Sequence, residues 1–375
     1  MESVVFKDYM IKDDRQFTQF LLEKVNLLDT SQIHSNSILS SLNELYRNDY
    51  EKQKFFLQDY YCNYLDSMKP HILMEYYLMQ GDIEELETLI DIERERGTKD
   101  MQTWITIYQI LLKNQKGELS GTDLIDEIFK VKNTNSESLI FSLIVHLYGI
   151  QETGLFEPFH KVLRVVAPMV ELMENEYLRE AYRIRLMEME ATTYLYMNEI
   201  EQCRAKCLEV IKRNELQYYF PIVYANFFHI LGQSYMFENF EVAKYWVEQA
   251  RDALLHLSGN RAADRTQYTV NTLDFLHSFW GIDIHTEPTD EAEKAHRLIV
   301  LGRVDEAIDI LDQLKRKRGY LTSYQLFYYG LATNDDSLLN VARDVFTSNS
   351  NHFYLQLLDT ENLHKYKNHI RRIKQ

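Results

Sequence analysis

The sequence predicts an all-α fold: a right-handed superhelical solenoid of degenerate tetratricopeptide-like helix pairs, preceded by a small N-terminal helical module. Three observations predict it. Glycine and proline number only 12 and 5 among 375 residues, well under the roughly 7% and 5% of ordinary chains, which leaves few points for tight turns or sheet corners. Amphipathic segments recur in pairs joined by short polar turns. In the clearest pairs the second helix opens with a large apolar residue and a small one three later: Ile200 with Cys203, Phe240 with Ala243, and Val304 with Ala307. One such pair cannot enclose a core, so pairs stack, and the concave side of the stack offers an extended surface for a peptide or chain.

Taken in order, residues 1–50 form the N-terminal module. They hold short helical stretches at Phe17 to Leu28 and Ile38 to Tyr46, separated by the polar run Asp29 to Ser37. Residues 51–375 form the repeat domain. A weak copy of the pair turn stands at Gln80-Gly81-Asp82-Ile83 and another at Thr333 to Asp336. The turns at Asn198-Glu199 and Glu238-Asn239 lie about 40 residues apart, longer than the roughly 34 of a regular repeat. Turn-forming residues collect at Asn133 to Ser138, Gly149 to Pro158, Ser258 to Thr266 and Ile282 to Asp290, and these are read as breaks. Pro221 suits the first turn of a helix, where its missing N–H is harmless. The end carries Leu363, Tyr366, Ile370 and Ile373 at helical spacing, fit for a capping or self-association helix.

Composition narrows the function. A net charge of −16 disfavours general attraction to nucleic acid or anionic lipid, so contact with DNA must be local. Cys62, Cys203 and Cys207 make no disulfide framework, and no apolar run is long enough to cross a bilayer, so a cytoplasmic location is expected. No phosphate loop, dinucleotide fingerprint, HExxH, GxSxG or CxxC occurs, and no enzyme or cofactor is expected. His285, Glu287, Asp290 and Glu291 are the nearest approach to a metal cluster, but they straddle Pro288 in a loop and read as solvated. Lys315 to Arg318 and the basic tail after His364 sit where helix C-termini favour cations. Tyrosine, at 26 residues, remains the anomaly. Tyr320, Tyr324, Phe327 and Tyr328 share a helical face, and Tyr218, Tyr219, Phe220 and Tyr224 cluster; both sets fit a peptide groove or a core equally.

Three segments carry a family resemblance: Glu176-Tyr-Leu-Arg-Glu-Ala-Tyr-Arg-Ile-Arg185, Leu231-Gly-Gln-Ser-Tyr-Met-Phe-Glu-Asn-Phe240 with Ala243-Lys244, and His352-Phe-Tyr-Leu-Gln-Leu-Leu358. In their order and spacing they resemble the AimR arbitrium-peptide receptors of Bacillus phages, in register from about Asn48 onward. The resemblance implies a dimeric repeat receptor that holds a short imported peptide in its groove and alters its grip on a phage promoter, switching between lysis and lysogeny. It implies that groove asparagines correspond to Thr192 and Gln233 here. It also implies that an acidic partner for a peptide arginine corresponds to Asn351, ahead of Phe353 and Tyr354. A neutral Asn351 cannot make the charge-assisted pair of an aspartate. The expected peptide therefore lacks that arginine or anchors it elsewhere.

The family's N-terminal helix-turn-helix has no clear counterpart in Asp29 to Asn36. Residues 1–50 hold eight acidic and five basic side chains, where a DNA reader presents Lys or Arg to phosphates. Lys7, Lys12, Arg15 and Lys24 remain as a small candidate DNA patch. Two readings follow. One is a peptide-sensing transcriptional regulator, with Thr192, Gln233, Tyr324, Phe327, Tyr328, Asn351 and Phe353 as its peptide site. The other is a peptide-controlled module that sequesters a host or phage protein and no longer binds DNA.

Overall fold

The computed structural model describes residues 52–57, 69–257, 259–364 and 366, and all regular structure among them is helical. The N-terminal module, with Lys7, Lys12, Arg15 and Lys24, lies outside the described residues, as do Ile370 and Ile373. The helices are α1 (Pro70–Gln80), α2 (Ile83–Arg96), α3 (Lys99–Gln115), α4 (Gly121–Phe129), α5 (Ser136–Glu152) and α6 (Phe156–Glu171). They continue as α7 (Glu176–Tyr196), α8 (Ile200–Ile211), the single turn α9 (Leu216–Tyr219), α10 (Pro221–Ser234) and α11 (Phe240–Leu255). After these come α12 (Asn260–Trp280), α13 (Glu291–Val300), α14 (Val304–Arg318), α15 (Ser323–Thr333), α16 (Asp336–Ser348) and a 3-10 turn, Tyr354–Leu358.

Neighbours in sequence pack as antiparallel pairs, α1 with α2, α7 with α8, α10 with α11, α13 with α14 and α15 with α16. The small-residue template explains why. Ile200, Phe240 and Val304 each open a second helix, and Cys203, Ala243 and Ala307 are fully buried at the pair contact. On the facing helix α10, Gly232 completes the approach: a Cβ there would stand 2.6 Å from Val247 Cγ2 and 3.0 Å from the Ala243 carbonyl oxygen. Two backbones separated by a glycine and an alanine leave no room for more.

Polar turn residues begin the helices. Asn135 caps α5 reciprocally with Ser138, Asn175 caps α7, Asn239 caps α11, Asp290 caps α13, and Thr322 caps α15 reciprocally with Gln325. Each supplies an acceptor to an otherwise orphaned N–H, typically worth ~1 kcal/mol. Pro221 is the first residue of α10, as its geometry requires. Basic residues Lys315 to Arg318 fill the last turn of α14.

The two-by-two order is interrupted at α12, which packs on α11 before it and α13 after it. The break expected from Ser258 to Thr266 is much shorter than that. Gly259, at φ 98°, makes a sharp entry, and residues from Asn260 onward are already helical. Turn-forming composition misled there because one glycine was enough to reverse the chain.

The stack curls until α1 meets α7 and α10. Gly81, in the left-handed region at φ 89°, ends α1 and turns the chain toward α2. Around that turn, Gln80 Nε2 donates to the carbonyls of Tyr218 and Tyr219 at 3.4 and 3.2 Å. Arg261 Nη1 donates to the Leu78 carbonyl at 2.6 Å. A clasp thus joins the first described pair to the start of α12.

Candidate functional site

Helices α7, α10 and α12 each carry a stripe of half-buried polar residues at three-, four- and seven-residue spacing. On α7 the stripe is Glu188, Thr192 and Tyr196, following buried Arg185; on α10 it is Asn226 and Gln233 with nearly buried His229 between them; on α12 it is Arg261, Arg265 and Thr272. Residues at this spacing share one helix face. Contacts between the helices bring the stripes together. Asn226 Nδ2 donates to Glu188 Oε1 at 2.5 Å, and His229 Nε2 pairs with Thr272 Oγ1 at 2.8 Å. These side chains form the wall of the candidate groove.

One end of the wall is anchored by Glu75 of α1. Arg185 Nε donates to Glu75 Oε1 at 2.8 Å, Tyr108 donates its hydroxyl to Oε2 at 3.0 Å, and Arg185 Nη1 reaches the Tyr148 hydroxyl at 3.1 Å. Burial opposes the charge on Arg185, but Glu75 and Tyr148 hold the guanidinium well above its ordinary value. The charge at this end is therefore matched.

The other end is closed by the C-terminal 3-10 turn. Gln233 Nε2 donates to the Tyr354 hydroxyl at 3.3 Å, and the Tyr354 ring meets the Tyr324 ring edge-on at 5.0 Å. The Tyr354 N–H is directed at Asn351 Oδ1 at 3.4 Å, and the Phe353 N–H donates to the Tyr196 carbonyl at 3.2 Å. Burial, then the neighbouring Tyr196, raises the Tyr354 hydroxyl above its ordinary value, so it stays protonated.

The arginines of α12 weigh on their neighbours along the middle of the wall. Burial, with Arg185 and Arg265 adding, brings Arg261 down to about 10. Burial, with Arg265 adding, brings His229 down to about 3, so its ring is neutral at pH 7.

The structure brings Gln233, Tyr324, Asn351 and Phe353 together around Tyr354, and places Thr192 one turn before Tyr196 on the same face. Phe327 and Tyr328 stand elsewhere. Both are fully buried: Phe327 packs edge-on against Tyr366 at 5.6 Å, while Tyr328 stacks on His296 at 4.4 Å and donates to Glu293 Oε1 at 2.9 Å. Phe353 is likewise buried, against Phe237 at 5.0 Å. These three rings pack the wall from behind and expose no surface to a ligand in this conformation. The Tyr218 cluster belongs to the clasp and the core, with the Tyr224 hydroxyl donating to the Ile211 carbonyl at 2.9 Å. A shallow outer depression of about 460 Å³ involves His285 and Glu287, but Glu287 pairs with Lys294 and Asp290 caps α13.

Sequence reasoning missed Arg185, Glu188, His229, Arg261 and Arg265. The spacing of Arg261 and Arg265 was a usable signal, hidden by reading their segment as a break.

Among the described residues, no helix is long and apolar enough to cross a membrane. A sequence model of the family described as AimR transcriptional regulator-like matches residues 53–361. An uncharacterized protein of Bacillus anthracis is 28% identical over 245 residues, 64% of this chain and 90% of its own length. The AimR transcriptional regulator of Bacillus phage phi3T is 23% identical over 295 residues, 74% of this chain and 73% of its own. A solved structure of phAimR with ligand superposes with a TM-score of 0.72 at 19% identity, over 89% of this chain and 97% of that one.

Proposed function

The chain belongs to the AimR transcriptional regulator-like family, and from that premise we propose that it is a peptide-responsive regulator holding a short signalling peptide along α7, α10 and α12. The observation that carries this reading is the polar stripe those helices share, ending at the Gln233–Tyr354 hydrogen bond. An extended peptide needs main-chain partners along its length and side-chain pockets between them. Thr192 on α7 and Asn226 and Gln233, two turns apart on α10, supply amide and hydroxyl groups, and Tyr324, Asn351 and Tyr354 close the C-terminal end. Phe327, Tyr328 and Phe353 enter the peptide's site indirectly, by fixing the rings and the 3-10 turn in front of them.

The regulated output in this proposal is transcription of a lysis-lysogeny gene by a homodimer in the bacterial cytoplasm. Lys7, Lys12, Arg15 and Lys24 are the proposed contacts to promoter phosphates. A peptide shifts such an equilibrium only by its difference in affinity for the two shapes of the receptor. The test is a mobility shift with the DNA adjoining its own gene, with and without synthetic peptides encoded immediately downstream. Salt-sensitive retention altered by one peptide supports the proposal; no retention and no peptide binding at micromolar protein refutes it.

The acidic balance of residues 1–50 favours a second reading, in which the output is a sequestered protein partner. A partner co-purified from host cells and released by peptide, with no DNA retained, selects it.

A further inference from the structure

Arg265 stands in the middle of the groove wall without an occupation. Among the described residues it makes no hydrogen bond or ion pair, although it is half-buried and sits in the second turn of a well-defined helix. Its surroundings are crowded with groups that feel its charge. Arg261, one turn earlier, is destabilised as a cation by it, His229 is held neutral in part by it, and the Tyr196 hydroxyl lies near enough to be affected.

The local charges do not cancel. Arg185 is matched by Glu75 in a direct pair, while Arg261 feels the charge of Glu188 without an ion pair to it. Glu188 makes its contact with Asn226, and no carboxylate lies within ion-pair distance of either α12 arginine among the described residues. Arg261 spends one donor on the Leu78 carbonyl. Arg265 spends none. A guanidinium carries five N–H donors in a planar fork that matches a carboxylate in two parallel bonds. Holding it half out of water beside a second arginine, with no acceptor, is a cost that no packing contact explains.

We propose that Arg265, supported by Arg261 one turn before it, is the subsite for a carboxylate of the groove's ligand, either an acidic side chain or the peptide's C-terminus. This rests on the reading that a peptide lies along α7, α10 and α12. The site also fits the molecule as a whole. The net charge of −16 repels acidic peptides in general, so a cationic point on the wall favours one whose carboxylate reaches it. Asn351, at the end closed by the 3-10 turn, carries no charge. The ligand's anchoring charge is thereby negative, near the middle of the groove.

The experiment uses the full-length protein and a synthetic hexapeptide library. The tightest binder is remade with its C-terminus amidated, and separately with each Asp or Glu changed to Asn or Gln. These arms tell the two carboxylate sources apart. One of the neutral forms is expected to bind wild-type protein at least about tenfold more weakly. Arg265→Gln is expected to lose the same factor for the parent peptide and to show no further loss with that neutral form, while Arg265→Lys keeps part of the affinity. Because Arg265 has no partner in the free protein and weighs on Arg261, Arg265→Gln should not lower the melting temperature, which excludes misfolding as the cause. A peptide that binds wild type and Arg265→Gln equally, in every form, overturns the subsite alone. If wild type binds no hexapeptide, the groove reading falls and takes the subsite with it.

Discussion

Arg185 of α7 donates to Glu75 of α1 at 2.8 Å across 110 positions of sequence, with both side chains at most 1% exposed. Such a pair adds little net stability compared with apolar residues of the same shape, but removing one partner strands a buried charge. Glu75→Gln should therefore cost about 3–5 kcal/mol in denaturant unfolding, and Glu75→Leu with Arg185→Met should recover most of it. A single-substitution cost below about 1 kcal/mol would show that water reaches the pair.

Asp82 supplies a test with pH. Burial, with Glu85 adding, pushes its carboxyl up to about 7, and its Oδ2 has no hydrogen-bonding partner. Since this lies above the unfolded value of about 3.9, the folded chain holds the proton more tightly. The contribution to stability is full below about pH 4 and is lost as pH rises through 7. Asp82→Asn should remove that loss. The variant is expected to melt higher than wild type at about pH 8 and to converge with it toward pH 4; a constant offset across that range would assign the effect to something other than titration.

Asn351 is open to a gain of charge. It lies beside Tyr354 with its Oδ1 toward that residue's N–H, and an aspartate of the same size would offer a guanidinium two charged oxygens. Calorimetry should find that Asn351→Asp improves binding of an arginine-containing hexapeptide by about tenfold over its arginine-free form. No difference between the two peptides would place their arginine away from position 351.

Tyr366 is fully buried, hydrogen-bonds His296 Nε2 at 2.9 Å and packs edge-on against Phe279 at 5.5 Å. Tyr366→Phe, which removes only the hydroxyl, should cost about 1 kcal/mol. Tyr366→Ala should cost about 3–5 kcal/mol by thermal unfolding. Equal losses for the two variants would mean that the ring contributes nothing.

The repeat architecture was legible because its determinants are local. Ile200 with Cys203, Phe240 with Ala243, and Val304 with Ala307 state a pair contact within four residues, and the structure places the small member of each at a buried helix crossing. The groove was less legible because its wall is assembled from partners far apart in the chain. Gln233 meets Tyr354 across 121 positions and Arg261 meets Leu78 across 183. Spacing alone put Tyr324, Phe327 and Tyr328 on one face, but it could not say that α13 and Tyr366 would cover two of them. At α12 the local signal pointed the wrong way: Gly259 and the polar residues after it suggested a loop, so the Arg261 and Arg265 stripe went unread.

The Arg261–Leu78 hydrogen bond fastens the start of α12 to the end of α1 across the curl of the stack. Together with the hydrogen bonds of Gln80 to the Tyr218 and Tyr219 carbonyls, it must part before α1 can leave the helices it closes upon. The fastening arginine stands one turn before Arg265 on the wall, so one helix carries both. A guest that drew Arg261 toward itself would cost this hydrogen bond, and one that left it in place would keep α1 fastened.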